Sequence, residues 1–154
     1  MRWEQGRATL EQMLDAKDLQ RVPASREHAD RLLEGGQRHL ASARDISASD
    51  PEGAYQLLYD GVRKALTGVL ANEGLRPTTR GGHRAVYAAV AAQLDPPMGG
   101  VLRPFDRMRR QRHEIEYPAM NAEQVLSADV RDELPKAEAI IQLAERVLDE
   151  MSPF

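Results

Sequence analysis

Residues 50–74, DPEGAYQLLYDGVRKALTGVLANEG, carry the clearest helical pattern in the chain. Asp50 and Pro51 are typical of a helix start, because aspartate accepts a bond from a free backbone N–H and proline suits the first helical position. Gly74 suits the left-handed residue that ends a helix. Apolar residues recur every three or four positions between these limits, at Ala54, Leu58, Val62, Ala65 and Val69. The segment predicts a helix over residues 51–72 with one buried face.

The same period recurs on both sides of this helix. It predicts helices over residues 9–17, 26–45 (capped by Ser25), 83–94, 101–116 and 127–151. No segment alternates as a strand would, and Pro135 predicts that the last helix begins late or bends. We therefore predict an all-α fold, an antiparallel bundle of five to six helices in one domain over residues 1–154. Residues 1–24 form a short helix and connector, and residues 25–151 form the bundle.

Small residues in two of these helices indicate close packing. Gly35 and Gly36 interrupt the second predicted helix, where glycine is unfavourable unless a neighbour approaches closely. Gly61, Ala65 and Gly68 lie on the helix over residues 51–72 and allow such an approach. Two alternatives are open at this stage, a contact within one chain and a contact between two copies.

Composition excludes several classes of protein. The chain has 154 residues, a net charge of −3 and no cysteine, which excludes disulfides, thiolate zinc sites and cysteine nucleophiles. We expect no metal or other cofactor, since the histidines occur in no metal-ligand pattern. No apolar run reaches the roughly 18 residues of a membrane helix, so we expect a cytoplasmic protein without membrane attachment. Nucleic-acid binding would need a local basic cluster.

Residues 101–118, VLRPFDRMRRQRHEIEYP, have the most unusual chemistry. On a helical wheel the buried face comprises Val101, Phe105, Met108, Arg112 and Ile115. Since Arg112 occupies an apolar position, we predict a structural ion pair with Glu116, one turn later.

The opposite face of this helix is basic. Arg103, Arg107 and Arg110 point away from the buried face near Tyr117, in a strip typical of phosphate binding. The alternative interpretation is a solvated helix face with no ligand.

Several of these segments resemble a known family. The run from Phe105 to Tyr117, of the form Phe-x6-Arg-x-x-Ile-Glu-Tyr, is similar to the signature helix of the HEPN (higher eukaryotes and prokaryotes nucleotide-binding) superfamily. Residues 54–70, with Tyr59 and Arg63-Lys64-Ala65, resemble its central helix, and Gly82-His83 resembles the opening of the helix that follows. The resemblance covers residues 54–117 and implies a helical bundle with a function related to RNA or nucleotides.

For ribonuclease members, the resemblance implies an Arg-x4-6-His motif, two copies of which face each other in a dimer and cleave RNA without metal. Here Arg107 and His113 have the spacing but point about 120° apart on a helix. Aligned on Tyr117, the motif arginine is Arg110 and the histidine position is Ile115, which carries no proton. The candidate catalytic residues are therefore Arg110, His113 and Arg107, in an incomplete motif.

We predict a non-catalytic HEPN-type module that binds RNA or a nucleotide through Arg103, Arg107, Arg110, His113 and Tyr117. The resemblance implies a homodimer whose arginines meet in a shared cleft, a minimal nucleotidyltransferase antitoxin as a further partner, and a toxin–antitoxin or defence setting. Two alternatives are a metal-independent endoribonuclease toxin and a structural helical scaffold.

Overall fold

In the computed structural model, which describes residues 3–154, six α-helices surround one hydrophobic core. The helices are α1 (Arg7–Asp15), α2 (Arg26–Ile46), α3 (Pro51–Glu73), α4 (Gly82–Leu94), α5 (Gly99–Glu116) and α6 (Ser127–Glu150). Two short strands, β1 (Leu19–Arg21) and β2 (Leu75–Pro77), flank the first long helices, and a 3-10 turn, Trp3–Gln5, precedes α1. The predicted helical bundle is confirmed.

Helices α2 and α3 begin, and α3 ends, at the residues that the sequence indicates. The Asp50 carboxylate accepts a hydrogen bond from the backbone N–H of Gly53 at 3.0 Å, which caps α3. Gly74 ends α3 with a φ of 83°, a left-handed conformation that glycine adopts without strain. The Ser25 hydroxyl accepts from the N–H of His28 at 3.0 Å and caps α2. Both predicted N-caps are confirmed, as is the prediction that Gly74 ends α3.

Helix α3 lies at the centre of the bundle and contacts α2, α4, α5 and α6. Its predicted apolar face is buried throughout. Tyr55 and Tyr59 on the same helix are also buried, although each carries a hydroxyl that needs a partner. These two tyrosines connect the core to the polar sites described below.

Helices α2 and α3 pack with their backbones in close contact. A Cβ atom on Gly36 would lie 2.5 Å from the carbonyl oxygen of Gly61, and one on Gly61 would lie 2.8 Å from that of Gly36. A Cβ on Gly68 would lie 3.0 Å from the carbonyl oxygen of Ala29. The small residues that the sequence singled out therefore serve a contact within one chain.

The paired strands were not predicted. β1 and β2 are antiparallel, with Gln20 opposite Arg76. The Thr78 N–H donates to the Asp18 carbonyl at 3.0 Å, and the Val22 N–H donates to that of Gly74 at 3.0 Å. The expectation that no strand forms is wrong, because three residues are too few to show an alternating pattern. The pairing ties the connector after α1 to the segment that leads into α4.

Several helix boundaries differ from the predictions by one or two residues. α1 ends at Asp15, because Lys17 takes a positive φ of 67° and turns the chain. α5 begins at Gly99, two residues earlier than expected. α6 begins at Ser127 and continues through Pro135, so the predicted late start is wrong. Pro135 has no N–H to donate to the Arg131 carbonyl one turn earlier. Both residues are exposed, so water can bond to that carbonyl instead. None of the described helices is long and apolar enough to cross a membrane.

Candidate functional site

The packing of α5 fixes which of its side chains reach the surface. Phe105, Met108 and Leu102 are fully buried. The Phe105 ring stacks on Tyr59 of α3, with ring centroids 5.3 Å apart and planes 7° apart. The predicted buried face is correct at Phe105 and Met108, whereas Val101 and Ile115 are only half-buried. Leu102 is buried as well, so the buried face of α5 is wider at its start than predicted.

Four residues of α5 and its C-terminal cap form an exposed surface that we call the α5 ridge: Arg103, Arg110, His113 and Tyr117. Arg103 has no hydrogen bond or ion pair to any described residue. Arg110 Nε lies 3.6 Å from Asp106 Oδ2, a loose contact. The His113 and Tyr117 rings lie 5.0 Å apart, and Tyr117 is 67% exposed. The ridge thus combines two available guanidinium groups with an exposed aromatic pair.

Arg107 is not part of this ridge, which corrects the prediction that its charge is free. Its Nη2 donates to Glu133 Oε1 on α6 at 2.6 Å, and Glu133 is almost fully buried. The other Glu133 oxygen accepts from the Tyr55 hydroxyl at 3.2 Å. Hydrogen bonding to Glu133 raises the pKa of Arg107. Because a nearly buried carboxylate requires a cation, Arg107 has a structural role as the partner of Glu133, while half of its side chain stays exposed.

Arg112 lies on the side of α5 that faces α3. Its Nη1 is 2.6 Å from Glu116 Oε2, the partner named from the sequence. Its guanidinium also lies over the Tyr59 ring, 5.9 Å from the ring centroid. The neighbouring Arg109 is held by Asp106, with Nη2 2.9 Å from Oδ1. Each guanidinium keeps further N–H donors beyond the one carboxylate that orients it.

Tyr59 and His83 bring α3 and α4 together beside these arginines. The Tyr59 hydroxyl lies 2.8 Å from His83 Nδ1. Burial lowers the pKa of His83, and the positive charges of Arg63, Arg112 and Arg109 lower it further. Burial raises the pKa of Tyr59 to about 12. At neutral pH both groups are therefore uncharged. We call the set of five side chains the arginine cluster: Tyr59, His83, Arg63, Arg109 and Arg112.

The arginine cluster continues towards α2 through Asp60. Asp60 Oδ1 accepts a hydrogen bond from Arg63 Nε at 3.0 Å. Asp60 Oδ2 lies 3.6 Å from both Lys64 Nζ and His39 Nε2. Burial opposes ionisation of Asp60, but Arg63, Lys64 and His39 hold its pKa below the usual range. One carboxylate is thus surrounded by several basic groups, which leaves positive charge in excess.

Tyr59 and Arg63 lie on α3 and His83 lies on α4. The sequence did not predict that these three side chains meet. The structure brings them together with Arg109 and Arg112, which lie on a third helix. It does not join the candidate catalytic residues in the same way: within the described residues no contact links His113 to Arg107 or Arg110. Arg107 is held on the α6 side, and the His113 ring lies against Tyr117 instead.

A cavity of about 690 Å³ lies beside Tyr117, between the end of α5 and the start of α6. Its charged lining consists of Glu114, Glu123, Asp129, Asp132 and Glu133, with the two cations Arg107 and Lys136. This acidic cavity disfavours phosphate. Basic and acidic groups therefore occupy opposite flanks of α5, with the α5 ridge between them. In the described part of the chain, no three His, Asp or Glu side chains are grouped to hold a metal ion.

A comparison with models of protein families covers the whole of this region. The family model for the HEPN domain matches residues 29–152, from α2 to the end of α6. This span contains the α5 ridge, the arginine cluster and the acidic cavity. The comparisons with curated proteins and with solved structures find no match.

Proposed function

The chain belongs to the HEPN domain family, and from this premise we propose that it is a non-catalytic module that binds single-stranded RNA along the α5 ridge. Arg103 and Arg110 contact phosphates, and the Tyr117 ring stacks on a base. The arginine cluster on the adjoining flank attracts the phosphate backbone. We also propose, from the resemblance, a homodimer, a minimal nucleotidyltransferase partner and a toxin–antitoxin or defence setting.

The observation that carries this proposal is that the exposed guanidinium groups of Arg103 and Arg110 lie on the same helix face as the exposed ring of Tyr117. Arg103 and Tyr117 are about 21 Å apart along the helix axis, with Arg110 midway. Single-stranded nucleic acid is bound by this combination, because guanidinium groups neutralise phosphates and aromatic side chains stack on the bases. A merely solvated helix face does not need Tyr117 to be 67% exposed.

The pairing of Arg107 supports the non-catalytic interpretation. RNA cleavage of this kind needs a histidine to move a proton and an arginine to stabilise the phosphate charge at the same place. Arg107 is bound to Glu133, 2.6 Å away, on the flank opposite the arginine cluster. Ile115 stands where the aligned motif requires histidine and cannot exchange a proton.

The test is fluorescence anisotropy with a labelled single-stranded RNA in EDTA, over a range of salt concentrations. For Arg103→Ala/Arg110→Ala we expect weaker binding and a salt dependence of log K reduced by about 1.4, since each phosphate contact in a single strand contributes about 0.7. The matched control, Arg7→Ala/Arg31→Ala, removes the same charge from α1 and α2. Equal losses in both double variants would show that only net charge matters and would refute the proposal.

The ring of Tyr117 has its own test in the same assay. Tyr117→Ala should weaken binding by about fivefold or more, since stacking one base contributes roughly 1–3 kcal/mol, and Tyr117→Phe should restore it. The RNA is also run on a gel after incubation. Cleavage that both Arg110→Ala and His113→Ala abolish would establish the endoribonuclease instead. Absence of binding by the wild-type protein would leave the scaffold interpretation.

A further inference from the structure

The acidic cavity contains carboxylates that nothing in the described chain neutralises. Glu114, Glu123 and Asp132 are exposed and have no hydrogen bond or ion pair to any described residue. Glu133 differs from them, since Arg107 and Tyr55 already hold it. The three free carboxylates are spread around an opening of about 690 Å³ rather than gathered to bind one ion. Their arrangement fits several separate cationic groups.

The segment that lines one side of this cavity also carries exposed apolar side chains: Tyr117 is part of the lining, and Met120 and Leu126 follow the lining residues Ala119 and Val125 in the chain. We call these three side chains the apolar rim. Three large hydrophobic side chains are exposed among the described ones: Tyr117 (67%), Met120 (108%) and Leu126 (59%). All three lie between residues 117 and 126, in the segment that joins α5 to α6. Within that segment only Val125 is buried. Exposed apolar groups gathered beside a cavity are typical of protein-binding surfaces, whereas single scattered ones are not.

We propose that the acidic cavity and its apolar rim form a docking site for a basic, amphipathic segment of a protein partner. Lysine or arginine side chains of that segment enter the cavity and pair with Glu114, Glu123 and Asp132. Its apolar side chains cover Met120 and Leu126. Charge complementarity determines the class of partner, because the negative lining repels nucleic acid and attracts cationic peptide. The proposal uses the flank of α5 opposite the arginine cluster and shares only Tyr117, which also lines the cavity, with the RNA-binding proposal.

The probe is a fluorescein-labelled ten-residue peptide in which leucine alternates with arginine. A matched peptide has glutamate in place of arginine. Binding to the full chain is measured by anisotropy, and the contact surface is mapped from backbone amide shifts in NMR spectra. We expect saturable binding of the arginine peptide, no binding of the glutamate peptide, and shifts concentrated at residues 111–136.

Charge reversal gives the decisive comparison. Glu114→Lys/Asp132→Lys should weaken binding of the arginine peptide by about tenfold or more, since two attractions become repulsions. The matched control, Glu11→Lys/Glu34→Lys, makes the same change of net charge on α1 and α2 and should bind within about twofold of wild type. Met120→Ser removes apolar contact without changing charge and should weaken binding about fivefold.

Several results would overturn the proposal. One is equal loss of binding in the two charge-reversed variants, which indicates attraction to the whole molecule. Another is shifts that map outside residues 111–136, or no saturable binding at millimolar peptide. A change in the oligomeric state of Glu114→Lys/Asp132→Lys, measured by light scattering, would assign the surface to a second copy of this chain.

Discussion

The stability of this protein should decrease as the pH rises from 4.5 to 8, because of one buried carboxyl group. Glu73 in the last turn of α3 is 2% exposed, and neither of its oxygens has a hydrogen-bond partner. Gln93 Oε1 on α4 is buried and unpaired in the same way. Burial raises the pKa of Glu73 to about 8, and the Gln93 side chain opposes this to a smaller extent. A protonated Glu73 can donate a hydrogen bond to Gln93 Oε1, whereas an ionised one cannot.

The size and sign of the effect follow from proton binding. An unfolded Glu73 loses its proton near the ordinary pKa of 4.5, whereas the folded protein keeps that proton up to a pH of about 8. Between these limits the native state binds one proton more than the unfolded state. The free energy of unfolding therefore decreases by about 1.4 kcal/mol per pH unit, or roughly 4–5 kcal/mol over the range. Below and above the range Glu73 contributes no pH dependence.

The measurement compares urea unfolding of the wild-type protein and Glu73→Gln at pH 5, 6, 7 and 8. The variant keeps the shape and a hydrogen-bond donor but has no charge to bury. Its stability advantage over wild type should grow by about 1.4 kcal/mol per pH unit, because all other titrating groups are common to both proteins. Glu34→Gln, at an exposed site on α2, should show no such trend. A difference between wild type and Glu73→Gln that stays constant with pH would refute the reasoning.

Three further predictions concern stability. Leu126→Ser should raise the free energy of unfolding by about 1 kcal/mol, because Leu126 is the exposed N-cap residue of α6 and its side chain cannot accept a hydrogen bond. The measurement is the melting temperature in thermal unfolding. Gly36→Ala should lower the free energy of unfolding by about 1–3 kcal/mol, and with it the melting temperature, because its Cβ would lie 2.5 Å from a backbone carbonyl oxygen of α3. The control Gly100→Ala, whose Cβ would have nothing within 4 Å, should be neutral or stabilising. Arg107→Ala should lower the free energy of unfolding, measured in urea, by about 1–2 kcal/mol, because the nearly buried Glu133 loses its main cation. The affinity of the variant for RNA should be unchanged. A loss of affinity at unchanged stability would contradict the structural role of Arg107.

Local signals in the sequence were enough to predict the helices. The side chains of Ser25 and Asp50 bond to backbone groups three residues away, so the caps of α2 and α3 are visible in a short window. Arg112 and Glu116 lie one helical turn apart, and their pairing is equally local. The packing of Phe105 and Met108 follows from the helical period alone.

Contacts between distant segments could not be predicted in this way. Arg107 has the helical position of a surface residue, and only the fold brings Glu133 of α6 to it. The Tyr59–His83 contact joins two helices, and no spacing rule relates its two residues. The acidic cavity likewise depends on where α6 begins relative to the end of α5. The helices and the local Arg112–Glu116 pair were therefore predictable, whereas the β1–β2 pairing and the contacts of site residues with distant segments were not.

The opposite charges on the two flanks of α5 have a consequence for how ligands share this protein. A polyanion drawn to the arginine cluster orients the molecule so that its carboxylate-lined side faces the solvent. On the two proposals above, a cationic protein segment binds on that side, and each ligand neutralises the charge that repels the other kind of ligand. Together the two proposals predict an adaptor in which one helix holds RNA and protein in a fixed relative orientation.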